Sequence, residues 1–254
     1  MIKKEFSDMK LRTFVLLFLG IGFFFMVAPL HKFALEMLNE YTQIPNMPRF
    51  LERFLPKGFV EKLSEWNFYI YTQWFGKNLG QFVPIFAIIM GFPIFAREIE
   101  NGTIEFLLAR SSRKRVFISK VLTVSLVVFF QMIVFSILPA IYSLFASKNL
   151  DYTYLLAYSI HTIVGALFWL AVTILFSVLS DDQVKPILGA IGTLAGTTVV
   201  AVFKPLRFMN TYSYILGGKI LSNGKMDVPY TLVLLGLSVA LMLLSYVSFL
   251  KKEF

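Results

Sequence analysis

Few side chains in this sequence are of types that could carry out chemistry. It contains two histidines and no cysteine, so a metal cage of His and Cys ligands cannot be built from this chain alone. Gly218-Lys219 ends like a phosphate-binding loop, but Ser213 stands where the first glycine of that motif belongs. We therefore predict no catalytic residue, no metal site and no cofactor in this chain, and we expect it not to be an enzyme.

A different kind of candidate is the polar side chain inside an apolar run. His161 lies within one of the long uncharged stretches. An ionisable group at such a place is a functional candidate by default, and the alternative is a neutral imidazole that is hydrogen-bonded to a neighbouring helix. Gln81 and Gln131 are interpreted in the same way, as partners in hydrogen bonds between helices.

The stretch 97–115 joins two apolar runs and combines turn residues, apolar residues and a dense basic cluster. Asn101-Gly102 is expected to end the preceding helix, and Thr103 to cap a short new one. Three apolar side chains then recur at helical spacing and form one face: Ile104, Leu107 and Leu108. This face predicts a docking surface for a soluble partner, with contact against the membrane as the alternative.

The hydropathy of the chain indicates what holds these residues in place. The chain has 254 residues, a mean hydropathy of +0.71 and 15% charged residues, against about 25% in an ordinary soluble domain. Six uncharged runs are long enough to cross a bilayer core of about 30 Å. They are 13–30, 79–96, 121–147, 152–180, 186–203 and 228–250. Because hydrocarbon offers backbone groups no partner, each run is predicted to be a helix.

We therefore predict an all-α polytopic membrane protein with six transmembrane helices, in which residues 1–254 form a single transmembrane domain. The basic residues of the short segments favour a cytoplasmic N-terminus and a cytoplasmic C-terminus. These segments are 3–12, 97–120 and 251–252. The net charge of +9 is interpreted as orientation in the membrane and contact with anionic lipid, not as nucleic-acid binding.

The segments between the runs have their own patterns. Residues 1–12 are basic with apolar residues interleaved, which is typical of a cytoplasmic interfacial helix. Residues 31–78 are predicted to be an outer loop with amphipathic helices, serving as a structural cap or as a gate over an exit path. Residues 204–229 contain turn signals between apolar residues and predict an outer re-entrant hairpin.

The fifth apolar run carries small residues at helical spacing. Gly189, Gly192 and Gly196 lie in it, and the last two form a small-xxx-small face. Such faces let helix backbones approach closely inside a membrane. The sequence leaves two interpretations open, packing within one subunit and packing at or near a dimer seam.

The stretch after the second run resembles the membrane subunits of ATP-binding-cassette (ABC) transporters of the ABC type-2 permease family. Many members carry an acidic residue, then Gly-Thr-hydrophobic-Glu-x-Leu-Leu, then a proline and a Ser-Arg pair. The residues that fit are Glu98, Gly102, Thr103, Glu105, Leu107 and Leu108. Ser111 stands where proline is common, and Ser112-Arg113 comes one residue early.

The resemblance implies a permease that pairs as a homodimer or heterodimer and binds a separate ATPase subunit. That partner would hold ATP and Mg. Residues 97–115 would form the cytoplasmic coupling segment, with the coupling helix at 103–108. The residues that couple to the ATPase would be Glu98, Gly102, Thr103, Glu105, Leu107, Leu108 and Arg113. We expect an exporter in the cell membrane that moves an amphipathic or hydrophobic substrate. Two other functions stay open: a secondary transporter or channel that needs no ATPase, and a membrane assembly or signalling partner that transports nothing.

Overall fold

The structure is a computed structural model that describes residues 2–33, 35–36 and 59–253. These residues are helical and contain no strand. The helices are α1 (Ile2–Val27), α2 (Phe59–Ser64), α3 (Trp66–Ile70), a π-helix (Tyr71–Leu79), α4 (Gly80–Gly91), α5 (Pro93–Glu100), α6 (Thr103–Arg110), α7 (Arg113–Phe145), α8 (Tyr152–Leu179), α9 (Val184–Val200), a 3-10 helix (Lys204–Met209), α10 (Thr211–Ile215), α11 (Gly218–Asn223) and α12 (Val228–Lys251).

Among the described residues, five helices are long and apolar enough to cross a membrane. They are Lys3–Phe33, Trp66–Glu100, Arg113–Phe145, Tyr152–Leu179 and Val228–Lys251. The chain is therefore a multi-pass membrane protein built from helices. The predicted run 186–203 corresponds to α9, which has 17 residues and a length of about 26 Å at 1.5 Å per residue. It is shorter than the other five because the chain leaves the helix at Ala201, before the 3-10 helix.

The second long helix begins earlier than the sequence indicates. Residues 66–78, which the sequence assigned to the outer loop, form α3 and the π-helix and continue into α4. Their two tryptophans are buried and hydrogen-bonded to α7. Trp66 Nε1 donates to Ser143 Oγ at 2.8 Å, and Trp74 Nε1 donates to the carbonyl of Phe135 at 3.0 Å. Of the outer loop predicted at 31–78, the part 37–58 lies outside the described residues, and residues 59–64 form the short helix α2.

Pro93 interrupts the second long helix, and two other helices satisfy the groups that it leaves free. A proline has no N–H, so the carbonyl of Ile89 loses its helical donor. Arg12 Nη1 donates to this carbonyl at 3.3 Å. Ser177 Oγ of α8 donates to the carbonyl of Phe92 at 2.7 Å and accepts the N–H groups of residues 95 and 96 at 3.1 Å. Inside a membrane such partners make a proline kink tolerable.

Replacing Ser177 by alanine is expected to lower the free energy of unfolding by about 1–3 kcal/mol, because it removes the bonds that Ser177 makes to buried backbone groups at the kink. Thermal unfolding in detergent measures the change. The matched control is Ser238→Ala, which removes a buried hydroxyl that donates to Leu234 of its own helix at 2.7 Å. Equal losses in the two variants would contradict the role assigned to Ser177.

The bundle has two distinct ends. The α6 end is the one at which Lys120 contacts Glu5, and at which Arg113 Nη1 donates to the carbonyl of Lys252 at 2.5 Å. Both described ends of the chain therefore lie there. The opposite end, here named the hairpin end, carries residues 204–227. α9 connects the two: its N-cap Gln183 donates to Glu100 at 2.6 Å, and the 3-10 helix after it contacts Tyr230 at the start of α12.

Candidate functional site

A left-handed turn at Gly102 separates α6 from the helix before it. Gly102 has a φ of 66°, a conformation that costs residues with a Cβ. No atom lies within 4 Å of the place where its Cβ would be. Glycine is therefore required by the left-handed backbone conformation and not by a lack of room for a side chain. The structure puts Gly102 at the N-cap and Thr103 first in the helix, so Thr103 is not the predicted cap. Its hydroxyl instead donates to the carboxylate of Glu98.

The two faces of α6 differ in exposure. Ile104 is 2% exposed, and Leu107 and Leu108 are half-buried and pack against the core. Phe106 is 72% exposed. We name the outward surface the α6 outer face, and it consists of Glu105, Phe106, Ala109 and Arg110. The stripe that the sequence predicted as a docking surface thus faces the bundle, because the chain's own apolar residues are available to cover it.

Behind α6 lies a buried group of charges that we name the Lys120 cluster, consisting of Lys120, Glu5 and Glu98. Lys120 and Glu5 are 2% exposed and Glu98 is 6% exposed. Lys120 Nζ lies 2.9 Å from Glu5 Oε2 and 3.4 Å from Glu98 Oε1. Lys4 lies 3.8 Å from the same oxygen of Glu98. The cluster joins α1, α5 and α7, and through Thr103 it also holds the start of α6.

Sequence reasoning identified Glu98 but missed Glu5 and Lys120. A signal for Glu5 exists, because it lies on the helical stripe of α1 that turns out to be buried. That stripe continues through Met9, Thr13 and Leu16. An acidic residue on an apolar stripe needs a cationic partner, but the sequence does not say which of the many nearby cations supplies it.

Arg113, predicted as part of the coupling segment, contacts the end of α12. Its guanidinium donates to the carbonyls of residues 249, 250 and 252 at 3.3, 3.1 and 2.5 Å. The last carbonyls of a helix generally lack donors within it, and a cation at that end is favourable. Lys252 in turn donates to Asp181 at 3.0 Å, and this hydrogen bond and charge hold the pKa of Asp181 below its usual value.

His161 is buried and both of its ring nitrogens are bonded. Nε2 accepts the backbone N–H of Asp227 at 3.2 Å, so Nδ1 carries the hydrogen and donates to the carbonyl of Tyr214 at 2.9 Å. The ring also stacks on Tyr214, with centroids 3.9 Å apart. The geometry is that of a neutral imidazole that joins α8 to residues 204–227.

Residues 204–227 form a docked hairpin that lines a cavity of about 290 Å³ beside His161. Its α10 reaches into the bundle, because Ile215 is fully buried and occupies the space that a Cβ on Gly165 of α8 would need. Lys219 and Asp227 line the cavity and form an ion pair of 2.5 Å. Burial raises the pKa of Tyr214 to about 12.

The two glutamines occupy different surroundings. Gln131 is buried, and its Nε2 donates to the carbonyl of Thr13 at 3.2 Å, which joins α7 to α1. Its Oε1 is buried with no hydrogen-bond partner among the described residues. The side chain of Gln81 is exposed. The backbone carbonyl of Gln81 accepts a hydrogen bond from the hydroxyl of Tyr212 at 3.4 Å.

The glycines of α9 also differ. A Cβ on Gly189 would lie 2.6 Å from the ring of Phe176 in α8, so Gly189 allows close packing within the subunit. Gly192 and Gly196 have open space where a Cβ would be. Their surface of α9 has no cover from the described part of the chain.

The chain matches the family model described as "Protein of unknown function (DUF2705)" over residues 53–254. The match covers more than half of its length, and the chain therefore belongs to this family. No curated protein and no solved structure matches it. Within the described residues, no group of three His, Asp or Glu side chains is placed to hold a metal ion.

Proposed function

We propose that this chain is the permease subunit of an ATP-driven ABC exporter, with α6 as the helix that couples it to a separate ATPase subunit. The observation that carries the proposal is the α6 outer face. A two-turn helix between two long apolar helices presents Phe106, 72% exposed, between the charged residues Glu105 and Arg110. An exposed aromatic side chain with charged neighbours is typical of a protein contact.

The topology supports this function. Both described ends of the chain lie at the α6 end, which requires an even number of crossings. Five long helices give an odd number, and α9, which runs from the α6 end to the hairpin end, supplies the sixth. Its length of about 26 Å is close to the hydrocarbon thickness of about 30 Å. We therefore propose six spans in the ABC type-2 arrangement, with the basic α6 end in the cytoplasm.

The proposal gives the two subunits different tasks. In the proposed complex the ATPase subunit binds ATP and Mg, and the permease moves the substrate across the cell membrane. The permease pairs with a second copy or a paralogue, and the open surface around Gly192 and Gly196 of α9 suits such a partner. The apolar composition of the long helices favours an amphipathic or hydrophobic substrate.

The Lys120 cluster supports a mechanical role for α6. Because Thr103 bonds to Glu98, and Glu98 to Lys120, a push on α6 is transmitted to α1 and α7 through buried, bonded groups. A helix that merely rested on the membrane would not need such an anchor.

The test is to replace Phe106 by aspartate and measure the vanadate-sensitive ATP hydrolysis that co-purifies with the tagged chain from its native membranes. Burying a phenylalanine side chain is worth about 1.5–3 kcal/mol, so its loss is expected to lower the co-purified activity at least tenfold. The matched control is Phe208→Asp, which changes a phenylalanine of similar exposure, 65%, at the hairpin end.

Phe106→Asp is expected to leave thermal stability unchanged, because the side chain has little contact with the bundle. ATPase recovery equal to that of the wild type would contradict the docking role of the α6 outer face. Equal losses in the two variants would show that the effect is not specific to α6.

A further inference from the structure

An apolar groove runs along the membrane-facing side of α1 and α7, with a volume of about 520 Å³. Side chains of both helices form its walls: Phe6, Leu17, Leu122, Leu126, Phe130 and Val134. From Leu122 to Val134 the groove follows thirteen residues of α7, or about 18 Å of helix. That length is close to one leaflet of hydrocarbon, about 15 Å. The groove therefore has the length and polarity of a site for an acyl chain.

At its α6 end the groove continues into a basic pocket of about 590 Å³. Lys3 and Leu122 line both cavities, and Lys114 and Arg115 complete the cationic wall of the pocket. Among the described residues, no carboxylate forms an ion pair with Lys3, Lys114 or Arg115. Three cations that have no carboxylate partner in the described part of the chain thus meet at one mouth of an apolar groove.

A buried hydroxyl in the same pocket also lacks a partner. Ser119 is 8% exposed, and its Oγ is buried with no hydrogen-bond partner among the described residues. It lines the basic pocket beside Arg115. A hydroxyl that is buried and unbonded costs about 1–3 kcal/mol, and rotation of this hydroxyl toward the pocket would let an acceptor oxygen of a ligand remove that cost.

We propose that the groove and the basic pocket together bind one anionic phospholipid from the leaflet at the α6 end. Its phosphate lies between Lys3, Arg115 and Ser119, and one acyl chain lies along α7 from Leu122 to Val134. The charge of the pocket selects a lipid with a net negative head group. The neighbouring acid of α1, Glu5, is already paired with Lys120 and so does not cancel this charge. The site does not depend on the proposed ATPase partner.

The experiment measures lipid retention by native mass spectrometry of the purified chain, with phosphatidylglycerol or phosphatidylcholine added. Each cation near an anionic lipid surface contributes about a fourfold to sixfold preference, so replacing Lys3 and Arg115 by glutamine is expected to lower phosphatidylglycerol retention about thirtyfold. The control is Arg110→Gln with Lys251→Gln. It removes one arginine and one lysine that are exposed near the α6 end but do not line the site.

A second variant tests the groove without changing charge. Leu126→Trp is expected to fill the apolar channel and to lower phosphatidylglycerol retention while the melting temperature stays near that of the wild type. Retention of the two lipids to equal extents would overturn the proposal. So would unchanged retention in the Lys3 and Arg115 variant or in Leu126→Trp.

The sequence has no cysteine, so a single introduced cysteine reports what covers the groove. Leu126→Cys is expected to stay monomeric under oxidation if a lipid occupies the site. An efficient disulfide between two copies would show that a second chain covers the groove, and would overturn the lipid assignment.

Discussion

Replacing Lys120 by methionine is expected to lower the free energy of unfolding by about 3–5 kcal/mol, the usual cost of removing one partner from a buried ion pair. Glu5 and Glu98 would remain buried without their cation. Glu5 already has one buried oxygen, Oε1, with no hydrogen-bond partner among the described residues, so Lys120 is the group that makes its burial tolerable. The measurement is thermal unfolding in detergent, followed by the fluorescence of the three tryptophans.

The matched control is Lys114→Met, which makes the same substitution at an exposed position of the same helix, six residues earlier. Its effect on the free energy of unfolding is expected to stay within about 0.5 kcal/mol. A third variant combines Lys120→Met with Glu5→Gln and Glu98→Gln. It removes the uncompensated negative charge and should recover most of the loss. If Lys120→Met were as stable as Lys114→Met, the Lys120 cluster would not be a structural anchor.

The consequence for function can be measured separately. Because Glu98 bonds to Thr103, neutralising the cluster loosens the start of α6 even where the bundle stays folded. The combined variant is therefore expected to keep most of the thermal stability of the wild type and to lose more of its coupling to the ATPase. That difference would distinguish a connection between α6 and the bundle from a general contribution to folding.

The sequence predicts the long helices well, because hydrocarbon imposes one solution on any long apolar run. It places the start of the second helix thirteen residues too late. Polar residues such as Gln73, Lys77 and Asn78 interrupt the apolar pattern there, while Trp66 and Trp74 find partners on α7 that composition does not reveal. Burial of an aromatic residue by a distant helix is a tertiary effect.

The orientation of α6 shows the same limit. An apolar stripe indicates that a face is covered, but not by what. The sequence assigned Ile104, Leu107 and Leu108 to a partner or to the membrane. The structure buries Ile104 and packs Leu107 and Leu108, which stay partly exposed, against the core. The pairing of Glu5 with Lys120 joins residues 115 positions apart, and no local pattern selects Lys120 from the other cations near the α6 end.

The role of the polar residues inside the apolar runs depends on long-range contacts. His161 was open to a functional or a structural interpretation, and its two bonds to Tyr214 and Asp227 come from residues more than fifty positions away. The hairpin that supplies them is short and irregular, so its docking on α8 could not be derived from periodicity. Its turn glycines, in contrast, are visible in the sequence.

Gly217→Ala is expected to destabilise the docked hairpin by about 2–5 kcal/mol. Gly217 has a φ of 67°, where a residue with a Cβ is less stable by about 1–2 kcal/mol. Its Cβ would also collide with the ring of Tyr158, and overpacking of this kind costs about 1–3 kcal/mol. Tyr158 cannot turn away easily, because it is 1% exposed and stacks on Tyr71 at 5.3 Å.

The neighbouring glycine provides the matched control. A Cβ on Gly218 would lie 3.8 Å from the carbonyl of Ser213, an ordinary contact, and its φ is not in the left-handed region. Gly218→Ala is therefore expected to leave stability unchanged or to raise it by about 0.4–1 kcal/mol. The measurements are thermal unfolding and the rate of limited proteolysis within residues 204–227.

Undocking of the hairpin would have a specific chemical effect. His161 would lose the carbonyl of Tyr214 and the N–H of Asp227, and the cavity beside it would lose the wall that the hairpin forms. Faster cleavage in Gly217→Ala but not in Gly218→Ala would show that the contact between Gly217 and Tyr158 keeps the hairpin docked. Equal cleavage rates in the two variants would mean that the hairpin is held elsewhere, and that the left-handed turn at Gly217 is not its anchor.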